Sequence, residues 1–200
     1  MERIKNDTLN PWLREFIARQ PPGHSLLQQF YGDDRVYHVD LERIWRRGWL
    51  FAGHSCEISK PGQYFTLEVD ADSILVIRDE NLRVQALHNV CRHRGSLICE
   101  DSCGNAKKLV CPYHRWTYDL DGELLHAPGM QEDLDKSQLG LHPVHIRETE
   151  GLIFISLASE PPDFDAADEV LADLAKPQGL ARAKIAKAVD YLVKDRKSVV

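Results

Sequence analysis

The sequence predicts a mainly β fold of small antiparallel sheets, preceded by N-terminal helices and followed by a short helix and one orphan strand. Two observations carry this expectation. Between Trp49 and Leu157 the chain runs in short β-alternating segments punctuated by Gly, Pro and Asp turns, whereas the stretches on either side have helical spacing. A double proline, Pro161-Pro162, then marks a shift in composition. The expected parts are a helical arm over 1–48, a β domain over 49–160 and a tail over 161–200.

Within the arm, "LNPWLREFIARQPPG" places Trp12, Leu13, Phe16 and Ile17 on one helical face and stops at Pro21-Pro22-Gly23. Asp40 is the expected N-cap of a second helix over "LERIWRRGW", with Leu41, Ile44 and Trp45 as its apolar stripe and Gly48 as its C-cap. In the β domain, "SILVIRD" and "LRVQALHNV" are strand-like runs joined by "DEN". "WTYDLDGELL" holds the Asp-Gly of a tight hairpin, and "GLIFISL" closes the series. In the tail, Val170, Leu171 and Leu174 have helical spacing up to Pro177 and Gly179, and Ile185, Val189, Tyr191 and Val193 alternate as in a strand without a partner.

Composition narrows the class of function. Two hundred residues, 43% hydrophobic and 28% charged, describe an ordinary globular chain, and a net charge of −6 offers no basic field to a phosphate backbone. Nucleic acid is not an expected partner. The N-terminus lacks the apolar core of a signal peptide and no run reaches membrane-spanning length, so a cytoplasmic chain without membrane attachment is expected. Five cysteines, an odd number with three between Cys91 and Cys103, do not form a secreted disulfide framework.

The chemistry concentrates in "VCRHRGSLICEDSCGNAKKLVCPYHRW", Val90 to Trp116. Cys91 and His93 stand as Cys-x-His, and after a gap of 17 residues Cys111 and His114 stand as Cys-x-x-His. Thiolate with imidazole suits zinc or an iron–sulfur centre, not calcium or magnesium. Zinc fingers usually group cysteines with cysteines and histidines with histidines; here each half supplies one of each, as a two-iron cluster with two thiolates on one iron and two imidazoles on the other requires. Gly95 permits a tight turn after the first pair, and Pro112 stiffens the second. Cys56, Cys99 and Cys103 read as ordinary thiols, and His24, His38, His54, His88, His126, His142 and His145 as surface or hydrogen-bonded histidines. "HPVH" has ligand-like spacing but no carboxylate to complete a site. Trp116 and Tyr118 read as packing behind the second pair.

"CRHRG" with "CPYHRWTYDLDG" resembles the Rieske [2Fe–2S] signature of non-heme iron oxygenase α subunits. The resemblance extends through "DLERIWRRGWLFAGH", "KPGQYFTLEV" and "GLIFISL". It implies a Rieske fold of three small sheets, with Cys91 and Cys111 on the buried iron and His93 and His114 on the outer one. It also implies a reductase or ferredoxin as electron donor, a head-to-tail homotrimer for the full-length parent, and a mononuclear Fe(II) in a separate catalytic domain. No His pair with a nearby carboxylate stands in the place that iron would require, so no catalytic residue is assigned. "VDYLVKDRKSVV" resembles the first strand of the catalytic domain, and the tail is expected to be a truncated, frayed or exposed start of it.

Respiratory Rieske proteins carry an extra bridged cysteine in each loop, where this chain has Ser96 and Tyr113. The resemblance therefore implies a potential near the low end of the Rieske range, roughly −150 mV. "KLVCPYHRWTYDLDGELL" looks closest to oxygenases of small quaternary ammonium compounds, ahead of those of aromatic rings, although Arg115 replaces their usual Gln or Gly. A free-standing Rieske ferredoxin and a zinc-stabilised interaction module are the alternatives.

Overall fold

The computed structural model describes residues 10–131, 133–187 and 189. The chain divides into two compact units, one of residues up to Leu50 with Ser156–Pro162, the other of Phe51–Ile155 with the chain from Asp163 onward.

In the first unit, α1 (Pro11–Arg19) opens on a proline, whose missing N–H costs nothing in the first turn. Its inner face is narrower than the sequence predicts: Leu13 and Phe16 are buried, while Ile17 is exposed. Phe16 meets Trp12 and Phe30 edge-on, and the Arg35 guanidinium lies 4.7 Å above the Trp12 ring. After the single turn α2 (Gln29–Gly32), α3 (Asp34–Asp40) runs on into a π turn at Leu41–Trp45. The expected cap at Asp40 is corrected, because Asp40 is itself helical. The cap is Asp33, extended, whose carboxylate accepts from the Arg35 backbone N–H and from its guanidinium. Of the expected stripe only Leu41 is buried; Ile44 and Trp45 face outward, and Gly48 has no left-handed φ.

The strands are β1 (Leu50–His54), β2 (Gln63–Val69), β3 (Asp72–Arg78), β4 (Val84–His88), β5 (Cys103–Asn105), β6 (Leu109–Val110), β7 (Thr117–Tyr118), β8 (Leu124–His126), β9 (His145–Thr149) and β10 (Leu152–Ser156). They form three small sheets in the orders β1-β10-β9, β4-β3-β2-β5 and β6-β7-β8. "SILVIRD" becomes the central β3, in which Ile74 to Ile77 are fully buried. Leu75 and Ile77 pack with Leu87, Leu109 and Tyr118 in the same cluster that encloses Cys91 and Cys111. The β3–β4 turn is tied by the buried Asp79 carboxylate, which accepts from Asn81 N, Arg83 N, Arg83 Nε and Gln85 Nε2. Glu150 and Gly151, both at positive φ, link β9 to β10; a Cβ at Gly151 would collide with the His54 imidazole.

The tail follows the expected order, a helix and then a stretch without a strand partner. The helix forms as α4 (Asp165–Ala175), but Val170 and Leu174 are exposed. Its anchors are at its ends, Ala175 and the preceding Phe164, whose ring lies 5.2 Å from Phe154. Ile185–Lys187 and Val189 pair with no strand, and Ile185 and Val189 are exposed; the rest of that expected strand lies outside the described residues. Among the described residues no helix is long and apolar enough to cross a membrane.

Candidate metal centre

Two hairpins with one backbone pattern build the site. In the first, Cys91 N donates to Ser96 O at 2.8 Å, Gly95 N donates to Cys91 O at 3.0 Å, and Val90 bridges Leu97. In the second, Cys111 N donates to Trp116 O at 2.9 Å, Arg115 N donates to Cys111 O at 3.0 Å, and Val110 pairs with Thr117. In both the fourth residue after the cysteine is left-handed, Gly95 at φ 74 and Arg115 at φ 61. "VCRHRGSL" and "VCPYHRWT" thus make the same turn twice, with the histidine two residues after the cysteine in one and three in the other.

The side chains separate by chemistry. Cys91 and Cys111 are buried, 3% and 1% exposed, while His93 and His114 are half-buried with ring centroids 4.7 Å apart. Trp116, buried between the hairpins and the core, stacks on His93 at 4.9 Å with the rings 7° from parallel; the exposed Tyr113 lies against His114. Burial, then the neighbouring His114 and Arg94 charges, lower the pKa of His93 and keep its imidazole neutral, the form that ligates a metal. Its Nδ1 is buried without a hydrogen-bond partner.

Polar groups beneath fix the first hairpin. The Tyr118 hydroxyl accepts from Arg92 N at 3.0 Å and lies within hydrogen-bonding distance of Cys91 Sγ, at 3.3 Å, where either group can donate. Burial and that contact raise its pKa and keep the proton in place. Asn89, fully buried, accepts from Ile98 N and Cys99 N and donates to Cys99 O and the Ser73 hydroxyl, which ties the base of the hairpin to β3. None of these roles was read from the sequence for Tyr118 or Asn89. The signal for Tyr118 is its place one strand position beyond the second hairpin, on the face that turns inward.

The donor set fits a [2Fe–2S] cluster: two thiols inside the core, two imidazoles outside it, and one orphaned ring nitrogen between them. Among the described residues no three His, Cys, Asp or Glu side chains converge as a single ion requires. All five cysteines are free thiols. Cys99 hydrogen-bonds the Tyr64 hydroxyl and burial raises its pKa; burial and that thiol likewise push Tyr64 up to about 12. Cys103 is exposed on the edge strand β5, and Cys56 lies in a short turn where its N–H donates to His54 Nδ1. The "HPVH" histidines do not act as a pair: His142 Nε2 meets Arg92 Nη1, and His145 begins β9.

The chain is similar to several known proteins. The chain is 44% identical to the glycine betaine monooxygenase oxygenase subunit of Chromohalobacter salexigens, over 85% of this chain and 39% of that one. It is 38% identical to the chlorobenzene dioxygenase subunit alpha of a Cupriavidus species, over 68% and 31%. The apo structure of the quaternary ammonium Rieske monooxygenase CntA superposes with a TM-score of 0.73 at 28% identity, over 80% and 48%. The chain therefore spans less than half the length of each of these relatives. A family model of the Rieske [2Fe-2S] domain matches residues 48–147, the stretch that holds both hairpins. The chain belongs to the Rieske [2Fe-2S] domain family.

Proposed function

We propose that Cys91, His93, Cys111 and His114 hold a [2Fe–2S] cluster and that the chain is the electron-transfer part of an oxygenase α subunit. The observation that carries this is the repeated hairpin, which turns one thiol inward and one imidazole outward on each side. Bound there, the cluster supplies a carrier of single electrons. Cys91 and Cys111 hold it at the core, where Tyr118 offers a proton to the Cys91 sulfur and so stabilises added negative charge. His93 and His114 face outward, and Trp116 holds the plane of His93. Ligation through His93 Nδ1 would satisfy the orphaned atom.

In the parent protein the electron would come from a reductase or ferredoxin and go to a mononuclear iron outside this chain, where dioxygen is activated. A cytoplasmic homotrimer with the Rieske domain over 49–160 accords with this reading. The substrate class is a small quaternary ammonium compound, supported by the higher identity to the glycine betaine monooxygenase subunit than to the chlorobenzene dioxygenase subunit. Counting iron and acid-labile sulfide in the purified chain tests the assignment. About two of each per chain is expected; a colourless chain holding one zinc would replace it with an interaction module.

A further inference from the structure

We propose that His142 is a positioning residue: it holds Arg92 as an unneutralised cation beside the first cysteine, where that cation favours the reduced cluster. This deepens the cluster assignment above and rests on it. The place of Arg92 is the first ground. It stands between Cys91 and His93, and its backbone N–H donates to the Tyr118 hydroxyl that lies against Cys91 Sγ. Neighbouring Cα atoms are about 3.8 Å apart, so the guanidinium stays near the sulfur. Arg94, two positions on, is exposed, whereas Arg92 is half-buried, its Nε is buried without a hydrogen-bond partner, and its Nη1 meets His142 Nε2.

The nature of that contact is the second ground. Arg78, Arg83 and Lys108 of the same unit are each paired with a carboxylate, of Glu148, Asp79 and Asp119. Among the described residues no carboxylate pairs with Arg92. A guanidinium only donates, so His142 Nε2 is the acceptor and the ring proton sits on Nδ1. A neutral acceptor orients the charge and leaves it whole. A carboxylate in that place would cancel it.

The fixing of His142 is the third ground. His88 N donates to His142 O at 2.9 Å, Leu87 bridges Pro143, and Val144 N donates to Ala86 O at 2.8 Å, so this stretch is strung along β4. The His88 ring stands edge-on at 6.5 Å. The first histidine of "HPVH" thereby gains a role that its spacing does not suggest.

With two ferric irons, two sulfides, two thiolates and neutral imidazoles, the oxidised cluster has no net charge. One electron from an external reductant leaves it with a single negative charge and changes no bond. A fixed cation nearby therefore stabilises the reduced state alone.

The test is a dithionite redox titration of the purified chain with its cluster, followed by visible absorption. Arg92→Gln should lower the reduction equilibrium constant about fivefold, or about 40 mV for a one-electron couple, and Arg92→Lys should restore it to within about twofold. His142→Ala should lower it about threefold, with His142→Gln, which keeps an acceptor, restoring most of the loss. In the Arg92→Gln background His142→Ala should change nothing further, because it acts through Arg92. An Arg92→Gln constant within about 1.5-fold of the unaltered chain, or a His142→Ala effect that persists without Arg92, would overturn the proposal. Iron and acid-labile sulfide content of each variant report the cluster separately. A chain without a cluster defeats the functional reading and this inference with it, whereas an intact cluster indifferent to both residues defeats only the inference.

Discussion

The two hairpins share a backbone and differ in what supports them. In 90–97 the turn residue is Gly95, the histidine is stacked beneath Trp116, and the base is pinned by the neutral, buried Asn89. In 110–117 the turn residue is Arg115, the histidine leans on the exposed Tyr113, and the strands below are tied by the Lys108–Asp119 ion pair. One turn geometry therefore serves an imidazole stacked on a buried ring and one that leans on an exposed ring. Packing, not backbone, makes the difference.

Removing a proposed ligand should abolish that difference altogether: Cys91→Ser and Cys111→Ser should each leave the chain without iron or colour, because the inner iron then lacks one of its two thiolates. Iron analysis of the purified variants checks this. The supports should then separate. Trp116→Ala should cost about 3–5 kcal/mol in urea unfolding, as for other buried aromatics, while Tyr113→Ala should stay within about 0.5 kcal/mol. Equal losses would mean that both imidazoles are held alike.

Tyr118→Phe removes the hydroxyl shared by Arg92 N and Cys91 Sγ. It should cost about 1–2 kcal/mol and move the cluster potential to a more negative value, read by a redox titration. At the turn, Gly95→Ala should cost about 1 kcal/mol from φ alone, since nothing lies within 4 Å of the new Cβ. Arg115→Gly relieves strain but loosens the unfolded chain, so thermal melts should show a smaller change there, under about 0.5 kcal/mol.

The smallest effect concerns pH. Lys108, at 2.7 Å, holds the Asp119 carboxyl below its ordinary value of 3.8, with burial opposing and the Leu120 N–H assisting. A carboxylate whose pKa is depressed on folding contributes stability that is full above its unfolded value and is lost as pH falls through the folded one. Below about pH 4 the amides of the second hairpin should therefore lose exchange protection before those of the first, which rests on an amide side chain; the partial exposure of both partners keeps the effect small. Simultaneous loss would remove this distinction.

Much of the β domain was legible because its signals are local. "SILVIRD", "LRVQALHNV", the Asp-Gly hairpin and "GLIFISL" fall on β3, β4, β7–β8 and β10, since alternation and turn residues act within a few positions. The misreadings come from forces the sequence does not display locally. Asp33 outcompetes Asp40 as a cap because it is extended and has the Arg35 side chain to bind. Val170 and Leu174 have core spacing yet face outward, because periodicity marks a face without saying that anything covers it. β5 is three exposed residues paired only to β2, and β9 begins inside "HPVH", so both lacked a pattern to read. The spacing drew attention to the four candidate ligands and the resemblance implied their division into inner thiols and outer imidazoles, but the repeat of one turn at an offset of 20 residues appears only once hydrogen bonds are placed.

In the proposed cluster His93 and His114 share one iron while Cys91 and Cys111 hold the other. Pulsed EPR of the dithionite-reduced chain tests it most directly. The spectrum should show the low average g of a histidine-ligated cluster and strong coupling to two nitrogens, those of His93 and His114. A spectrum with the higher average g of an all-thiolate cluster, or without strong nitrogen coupling, would contradict it.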